Sequence, residues 1–480
     1  MSSNPHVLIV EDDPEYVNHI VGVIQEINAT SIIEVAGSRE EAIQALTSDK
    51  FFDLLHLDLT LPYSKGNPDK KVEYGAEVFH VSREQALGLP ILILTGSSTD
   101  ALVSDFLRSA DQSDVWGTGE KRPTVDHVQK MDLDRYDDEI RQILEAIKSL
   151  NDIELTRSPT SLDLPIEHDR LIRIFCRRKG AVRCQVSRVS GGLSSSKVYQ
   201  INAYNSSGNS IYNVIAKVAP HSIIQDEHDN FNSSVERLRQ DVTPRHIATF
   251  VFGAKNTAAV FYGFADGYQA DFFSISRTNK VGTALAEKIK SMTDKWCEAS
   301  SEKTVTIQDI RRLLLDDTET ERISQNYELD WLSAFEGKSI QANWCLIHGD
   351  LHGKNVLINE SDQTSALIDY GDIREGSAVI DPVTMEFSLF FHPETVVSGD
   401  WPTSEQAKNW YDLETYLENC PIPEVINFLR SWTEDAAVGN REIAAAAYAY
   451  LIRQLKYDDT NAELALNFLE GARKLYDDRG

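Results

Sequence analysis

The stretch CLIHGDLHGKNVLI, residues 345–358, sets the carboxylate Asp350 five residues ahead of the amide Asn355, between two apolar flanks. A carboxylate so placed can accept a hydroxyl proton, and the amide oxygen suits a hard cation. A further carboxylate, Asp369, closes the run SALID. A proton acceptor and two metal ligands are the parts that phosphoryl transfer from a nucleotide requires. His348 and His352 share the loop, but no third residue is spaced to complete a zinc site. His352 reads as a hydrogen-bonding loop residue.

The first 150 residues hold a different set. Glu11, Asp12 and Asp13 follow VLIV, Asp58 stands near the end of FDLLHLDL, and Thr95 ends PILILT. Strands of a parallel sheet all end at one edge, which brings these groups together. Clustered carboxylates repel one another unless a cation such as Mg²⁺ neutralises them, and a metal-bound carboxylate is a workable nucleophile toward phosphorus.

The elements that must position both sets follow from periodicity. Val7–Val10 predicts a buried strand, and Asp13 with Pro14 starts a helix whose apolar face is Val17, Ile20, Val21, Ile24 and Ile27. IIEVAG is a second strand; Ser38 and Glu41 open a helix that runs through Leu46. The third and fourth strands are those ending in Asp58 and Thr95, and Asp137–Leu150 closes the pattern as an amphipathic helix. Residues 1–150 are therefore expected to be a doubly wound, flavodoxin-like parallel sheet. Residues 151–165, with two prolines, are expected to be a linker. A strand-rich part, 166–275, and a mainly helical part, 276–480, should follow, making the chain multidomain α/β and α+β. Within the helical part, the polar turn NESDQTS predicts a hairpin that lays NVLI beside ALID.

With these residues in view, 6–150 resembles the receiver domain of two-component response regulators. The resemblance implies that Glu11 and Asp12, with Asp58, hold Mg²⁺ and that Asp58 accepts a phosphoryl group. It implies that Thr95 follows that group as a switch and that Lys130 in HVQKMD pairs with it. The sequence departs from the family at Met131, where proline is usual, and in insertions around 63–74 and 111–126. The joint pattern HGDLHxxNxLI, turn, LID resembles the aminoglycoside phosphotransferase and choline kinase group of the protein-kinase-like fold. By that resemblance Asp350 is the catalytic base, Asn355 and Asp369 are metal ligands, and His348 braces the loop.

A bilobal kinase fold also requires a phosphate-covering turn and a lysine upstream. VSGGLSSSKVYQI supplies Gly191, Gly192, Ser194 and Ser195; YNVIAKVA supplies Lys217. Glu227 is its expected helix partner, with Glu236 as the fallback, and VFYGFADG (260–267) is the expected adenine hinge. Past Asp369 the family pattern G-D-P-x-x-D is matched at Asp381 and Pro382, but the later acid, Glu386, falls one place late; Asp372 reads as structural.

The balance of 47 basic against 75 acidic residues, net −28, argues against nucleic-acid or anionic-membrane partners. No apolar run is long enough to span a bilayer, no signal peptide is seen, and the five scattered cysteines suggest reduced thiols, so a cytoplasmic protein is expected. Together these readings describe an ATP- and Mg²⁺-dependent phosphotransferase controlled at Asp58. A histidine kinase or small phosphodonor would supply the receiver, and the phosphoacceptor is unknown. A homodimer stays open. The alternative is a non-catalytic two-component signalling scaffold whose kinase-like part only binds a nucleotide or partner. A transcriptional regulator is excluded because no helix-turn-helix or basic surface follows the receiver. The switch at Asp58 and Thr95 is expected to change how that face packs on the small lobe, or to change a dimer.

Overall fold

The structure, a computed structural model, describes residues 4–96, 101–108, 110–189, 196–263, 268, 270–279, 281–397 and 399–478. The chain forms two compact units, residues 1–228 with 245–264 and residues 229–244 with 265–480.

The first unit begins with β1 (His6–Val10), α1 (Pro14–Ile27), β2 (Ile32–Ala36), α2 (Arg39–Leu46), β3 (Leu54–Leu57) and a small hairpin, β4 (Leu61–Pro62) with β5 (Lys70–Lys71). It continues through α3 (Val72–Gln85), β6 (Ile91–Thr95), α4 (Ala101–Arg108), a second hairpin of β7 (Gln112–Ser113) and β8 (Arg122–Pro123), β9 (Val125–Gln129) and α5 (Leu133–Ser149). Five of these strands form a parallel sheet in the order β2-β1-β3-β6-β9, the doubly wound receiver fold. Every residue from Val7 to Val10 is fully buried, because the sheet is covered on both faces. Val7 and Ile9 pack with α1 and α5, while Leu8 and Val10 pack with α2, α3 and α4. The helix starts follow from the side chains: Asp13 accepts from Glu15 N–H, and Ser38 accepts from Glu41 N–H.

The segment 151–165, expected to be a linker, contains β10 (Glu154–Ser158). This strand pairs in parallel with β11 (Arg183–Arg188), after α6 (Ile166–Arg178). β12 (Lys197–Tyr204), β13 (Ser210–Pro220), α7 (His221–Ser233), β14 (His246–Phe250) and β15 (Thr257–Gly263) complete a six-stranded sheet in the order β10-β11-β12-β13-β15-β14. Leu171, Ile172 and Phe175 of α6 pack onto it.

Within this unit the receiver and the small lobe share buried surface. Ile174 and Phe252 of the small lobe belong to the same apolar cluster as Val115, Trp116 and Ile147 of the receiver. Arg170 grips Asp53 through two bonds, Nε to Oδ1 at 2.7 Å and Nη2 to Oδ2 at 2.9 Å, with both side chains sealed from solvent. Gly88 N–H donates to Lys255 O and Gly253 N–H to Gly88 O. Gly117 sits at φ +70°, where an added Cβ would lie 2.4 Å from Ile174 O, so the second insertion closes on α6 only with glycine there. Asp53, Gly88 and Trp116 lie toward the strand-start edge of the receiver sheet. The small lobe is thus packed at the edge opposite Asp58 and Thr95, not on the Thr95 side that the sequence suggested.

The second unit contains β16 (Ala270–Asp271), α8 (Phe272–Ser276), α9 (Thr283–Lys290), α10 (Asp294–Cys297), β17 (Ser301–Thr306), α11 (Ile307–Arg311), α12 (Asp317–Asn326) and α13 (Leu332–Glu336). After these come β18 (Ser339–Ile347), β19 (Val356–Asn359), β20 (Thr364–Leu367), β21 (Arg374–Ser377) and α14 (Ile380–Phe391). α15 (Ser404–Lys408), α16 (Leu413–Tyr416), α17 (Pro423–Ala436), α18 (Asn440–Gln454) and α19 (Ala462–Asp477) end the chain. β19 and β20 pair as the antiparallel hairpin that the polar turn predicts. The alanine-rich α18 is buried nearly all round from Glu442 to Ile452 and packs against α11, α14 and α19, so small side chains let the helices approach.

Candidate functional site

The receiver pocket is built from three strand ends. Glu11 follows β1, Asp58 follows β3, and the oxygens of Glu11, Asp12 and Asp58 lie within 4.8 Å of one another. Asp13 is not part of this cluster; it caps α1. Burial first, then mutual repulsion, pushes the Glu11 carboxyl above its ordinary value, and burial does the same to Asp58. Lys130 answers this charge: its Nζ lies 2.7 Å from Glu11 and 2.9 Å from Asp58. Burial works against its ammonium, but the two carboxylates outweigh it and hold its pKa above the ordinary value. Met131, in the place of the usual proline, is 88% exposed, and the turn still delivers the lysine. Thr95 is buried at the end of β6, its carbonyl accepting from Lys130 N–H at 2.8 Å. The 63–74 insertion brings a cation that the sequence reading missed: Lys70 of β5 reaches Asp12 at 2.5 Å. Its only sequence signal is a lysine pair in an insertion. Three hard oxygen donors this close fit Mg²⁺, which would supply charge neutralisation for an incoming phosphoryl group.

In the second unit, β18 leads directly into the loop that carries Asp350. Gly349 sits at φ +81°, where a Cβ would lie 2.4 Å from Asp372 O, so the loop turns there only with glycine. Asp381, at the start of α14, accepts from the backbone N–H of His348 at 2.8 Å and of Gly349 at 3.0 Å. His348 is fully buried, and its Nε2 meets Ile368 O at 3.0 Å, bracing the loop against the chain just before Asp369. Asn355 Nδ2 donates to Asp350 O at 2.9 Å. Its Oδ1 accepts no hydrogen bond among the described residues, which suits a metal ligand. Asp369 sits at φ +66°, a strained position for a non-glycine residue, at the end of the β19–β20 hairpin. Ile368 N–H donates to Asn355 O and ties that segment to the loop.

His352 hydrogen-bonds the loop through its backbone, its N–H donating to Asp350 O at 2.9 Å and its carbonyl accepting from Asn355 N–H at 2.9 Å. Its Nδ1 has no hydrogen-bond partner among the described residues; its ring lies against Phe273 and His392. Burial, ahead of the opposing pull of Asp350, lowers its pKa. Glu386 is structural: it takes two bonds from Arg430 and one from Trp410, all buried. Asp372 pairs with Arg374 at the surface. The sequence reading missed Arg453 of α18, whose Nη1 holds Asp350 Oδ1 at 3.0 Å. A signal was present, since Arg453 is the one charged residue in 443–455.

Back in the first unit, Lys217 of β13 is 9% exposed and lies 2.6 Å from Glu227 Oε2; Tyr262 donates to Glu227 Oε1 at 2.9 Å. Glu236, the fallback, is exposed in a short 3-10 turn. Gly191, Gly192, Ser194 and Ser195 lie outside the described residues, as do 264–267 of the expected hinge.

The model of the phosphotransferase enzyme family matches residues 298–397, the stretch that holds Asp350, Asn355 and Asp369. The chain joins a receiver-fold domain to a kinase-like domain. Among solved structures, an aminoglycoside-3'-phosphotransferase of type VIII is 16% identical, covers 62% of this chain and 100% of its own, and has a TM-score of 0.35. The signal receiver domain of a DNA-binding response regulator from Colwellia psychrerythraea is 19% identical over 30% of this chain and 99% of its own, with a TM-score of 0.22. The receiver domain of a sensor histidine kinase from Pseudomonas aeruginosa, with magnesium in its active-site cleft, is 16% identical over 29% and 99%, with a TM-score of 0.21. No curated protein matches the chain.

Proposed function

We propose that this protein is a nucleotide-dependent phosphotransferase whose receiver domain is a phosphoacceptor. The observation that carries the reading is the braced loop in which Asp350 keeps Oδ2 free of hydrogen bonds while Asn355 keeps Oδ1 free, both among the described residues. In the proposed step, an acceptor hydroxyl attacks the γ-phosphorus of ATP, its proton passes to Asp350, and the bond to the bridging oxygen breaks to release ADP. Asn355 and Asp369 would hold Mg²⁺, which would neutralise charge on the phosphates. Lys217, steadied by Glu227 in the first unit, would serve as a cation for phosphate. At the receiver, Asp58 would attack a phosphoryl group from a histidine kinase or small phosphodonor, with Glu11 and Asp12 holding Mg²⁺ and Lys130 pairing the added charge. The acceptor substrate is a hydroxyl compound or protein of unassigned class.

One observation favours a second reading. Arg453 holds Asp350 Oδ1, and a base so engaged also fits a signalling scaffold that binds a nucleotide without turnover. The test is turnover of γ-labelled ATP by the full chain with Mg²⁺, which the shared receiver–small-lobe core makes the proper unit. ATP binding without ADP release would favour the scaffold; absence of binding would defeat both. Turnover with and without a small phosphodonor, in wild type and Asp58→Asn, tests control by the receiver. Among the described residues no helix is long and apolar enough to cross a membrane. We infer a cytoplasmic protein and, from its net charge of −28, one without nucleic-acid partners.

A further inference from the structure

The five cysteines are scattered in sequence, yet the fold sets two of them together in the second unit. Cys297 ends α10, and Cys345 lies in β18, three residues before His348. Their sulfurs are 3.1 Å apart across 48 positions of chain. Both are free thiols; Cys297 is half-buried and Cys345 is buried. α10 is anchored from its other side, where buried Trp296 donates through Nε1 to Ser234 O at 2.8 Å. β18 is fixed in its sheet by β17 and β21, with Cys345 opposite Gly376. The two sulfurs are therefore presented by elements that hold them near, and each needs to move only a fraction of the roughly 1 Å that separates contact from an S–S bond of about 2.05 Å.

The hydrogen bond between the two thiols lowers the Cys297 pKa, and the same bond together with burial raises that of Cys345. The more accessible sulfur is thus also the readier thiolate.

We propose that Cys297 and Cys345 form a redox-active dithiol that hydroperoxides convert to an intrachain disulfide, tying α10 to the strand that enters the Asp350 loop. The Cys297 thiolate attacks one peroxide oxygen; the O–O bond breaks and Cys297 becomes a sulfenic acid. Cys345 sulfur then attacks the Cys297 sulfur, the S–O bond breaks and water leaves with the Cys345 proton. Two thiols lose two electrons, and hydrogen peroxide is reduced to two waters. The remaining cysteines provide an internal control. Cys176 and Cys184 also adjoin one another, but both are fully buried in the apolar core of the small lobe, out of reach of peroxide. Cys420 has no cysteine beside it among the described residues.

The full chain, treated with hydrogen peroxide and then blocked with iodoacetamide before non-reducing digestion, decides the matter. The expected product is one linked pair of peptides containing Cys297 and Cys345, 2 Da lighter than the sum of the free thiol forms, restored by dithiothreitol, with Cys176 and Cys184 alkylated only after unfolding. In Cys345→Ala the sulfenic acid has no resolving thiol, so dimedone labels Cys297 and the linked pair is lost. The proposal is overturned if wild-type Cys297 and Cys345 both stay alkylatable after peroxide, if wild-type Cys297 is trapped by dimedone while Cys345 stays free, or if the only disulfides join separate molecules. The wild-type map stands whether or not the variant folds.

Discussion

The two candidate sites handle the same problem, acidic groups held close together, by different means. In the receiver pocket Glu11, Asp12 and Asp58 come from segments far apart in sequence, and Lys130 and Lys70 offset their charge. In the Asp350 loop the positioning is mostly local: Asn355 bonds Asp350 O, His352 N–H bonds Asp350 O, and Asn355 N–H bonds His352 O. From farther along the chain come Asp381, Arg453, Ile368 and, through Lys354, Asp271. The pocket depends on strand ends brought together by the whole sheet and on its cations, whereas the loop combines its own turns with these few distant supports.

Substitutions can break or sharpen this contrast. The largest effect is expected for Asp350→Asn, which should cut phosphoryl transfer by about 10²–10⁴-fold while leaving Mn²⁺ binding at the receiver pocket unchanged. Transfer above a tenth of the wild-type rate would remove Asp350 from the role of base. Next, Arg170→Met strands the buried carboxylate of Asp53, so stability should fall by about 3–5 kcal/mol in urea unfolding of the first unit's signal. An unchanged midpoint would show that the receiver and small lobe do not rely on this pair. Asp381→Ala orphans the N–H groups of His348 and Gly349; a loss of about 1–3 kcal/mol is expected, with slower transfer but intact Mn²⁺ binding at Asp58. If that binding also weakened, the two sites would not be as separate in their supports as their hydrogen bonds indicate.

Smaller effects test the cations and the titrating core. Lys70→Ala removes a charge beside Asp12, and Mg²⁺ should bind the receiver pocket more tightly by roughly 5-fold, about 1 kcal/mol for a solvent-exposed pair. Calorimetric titration showing equal or weaker binding would mean that Lys70 does not compete with the ion. Finally, burial depresses His168, bonded to Tyr199 at 2.8 Å, to about 4 from 6.5. The unfolded chain then takes up a proton before the folded one, so stability should drop as pH falls from 6.5 toward 4. In His168→Gln that part of the acid slope should be shallower in denaturant midpoints measured across the window.

Much of this was legible in the residues. The VLIV, FDLLHLDL and PILILT runs implied buried parallel strands because a sheet covered on both faces needs unbroken apolar stretches. NESDQTS implied the β19–β20 hairpin because turn residues between two apolar runs leave few other paths. The sequence also placed Asp350 and Asn355 on one loop, where Asn355 bonds Asp350 O and Ile368 N–H bonds Asn355 O. Other features could not be read this way. β10 was hidden in a segment with two prolines, since its pairing with β11 is a tertiary event that propensity does not report. Lys70 sits in an insertion with only a lysine pair to mark it, and Arg453, though the one charged residue in 443–455, lies on a distant helix with nothing to name Asp350 as its partner.

The sequence by itself determined the order of the two folds and, β10 apart, those elements whose helix caps, strand runs and turns act over a few residues. Only the tertiary structure decided which distant groups meet: Lys130 with Glu11 and Asp58, Arg170 with Asp53, Asp381 beneath the loop, Cys297 against Cys345. Those meetings depend on sheet order and helix packing, which bury a charge or a thiol only where a partner from another part of the chain is already in place.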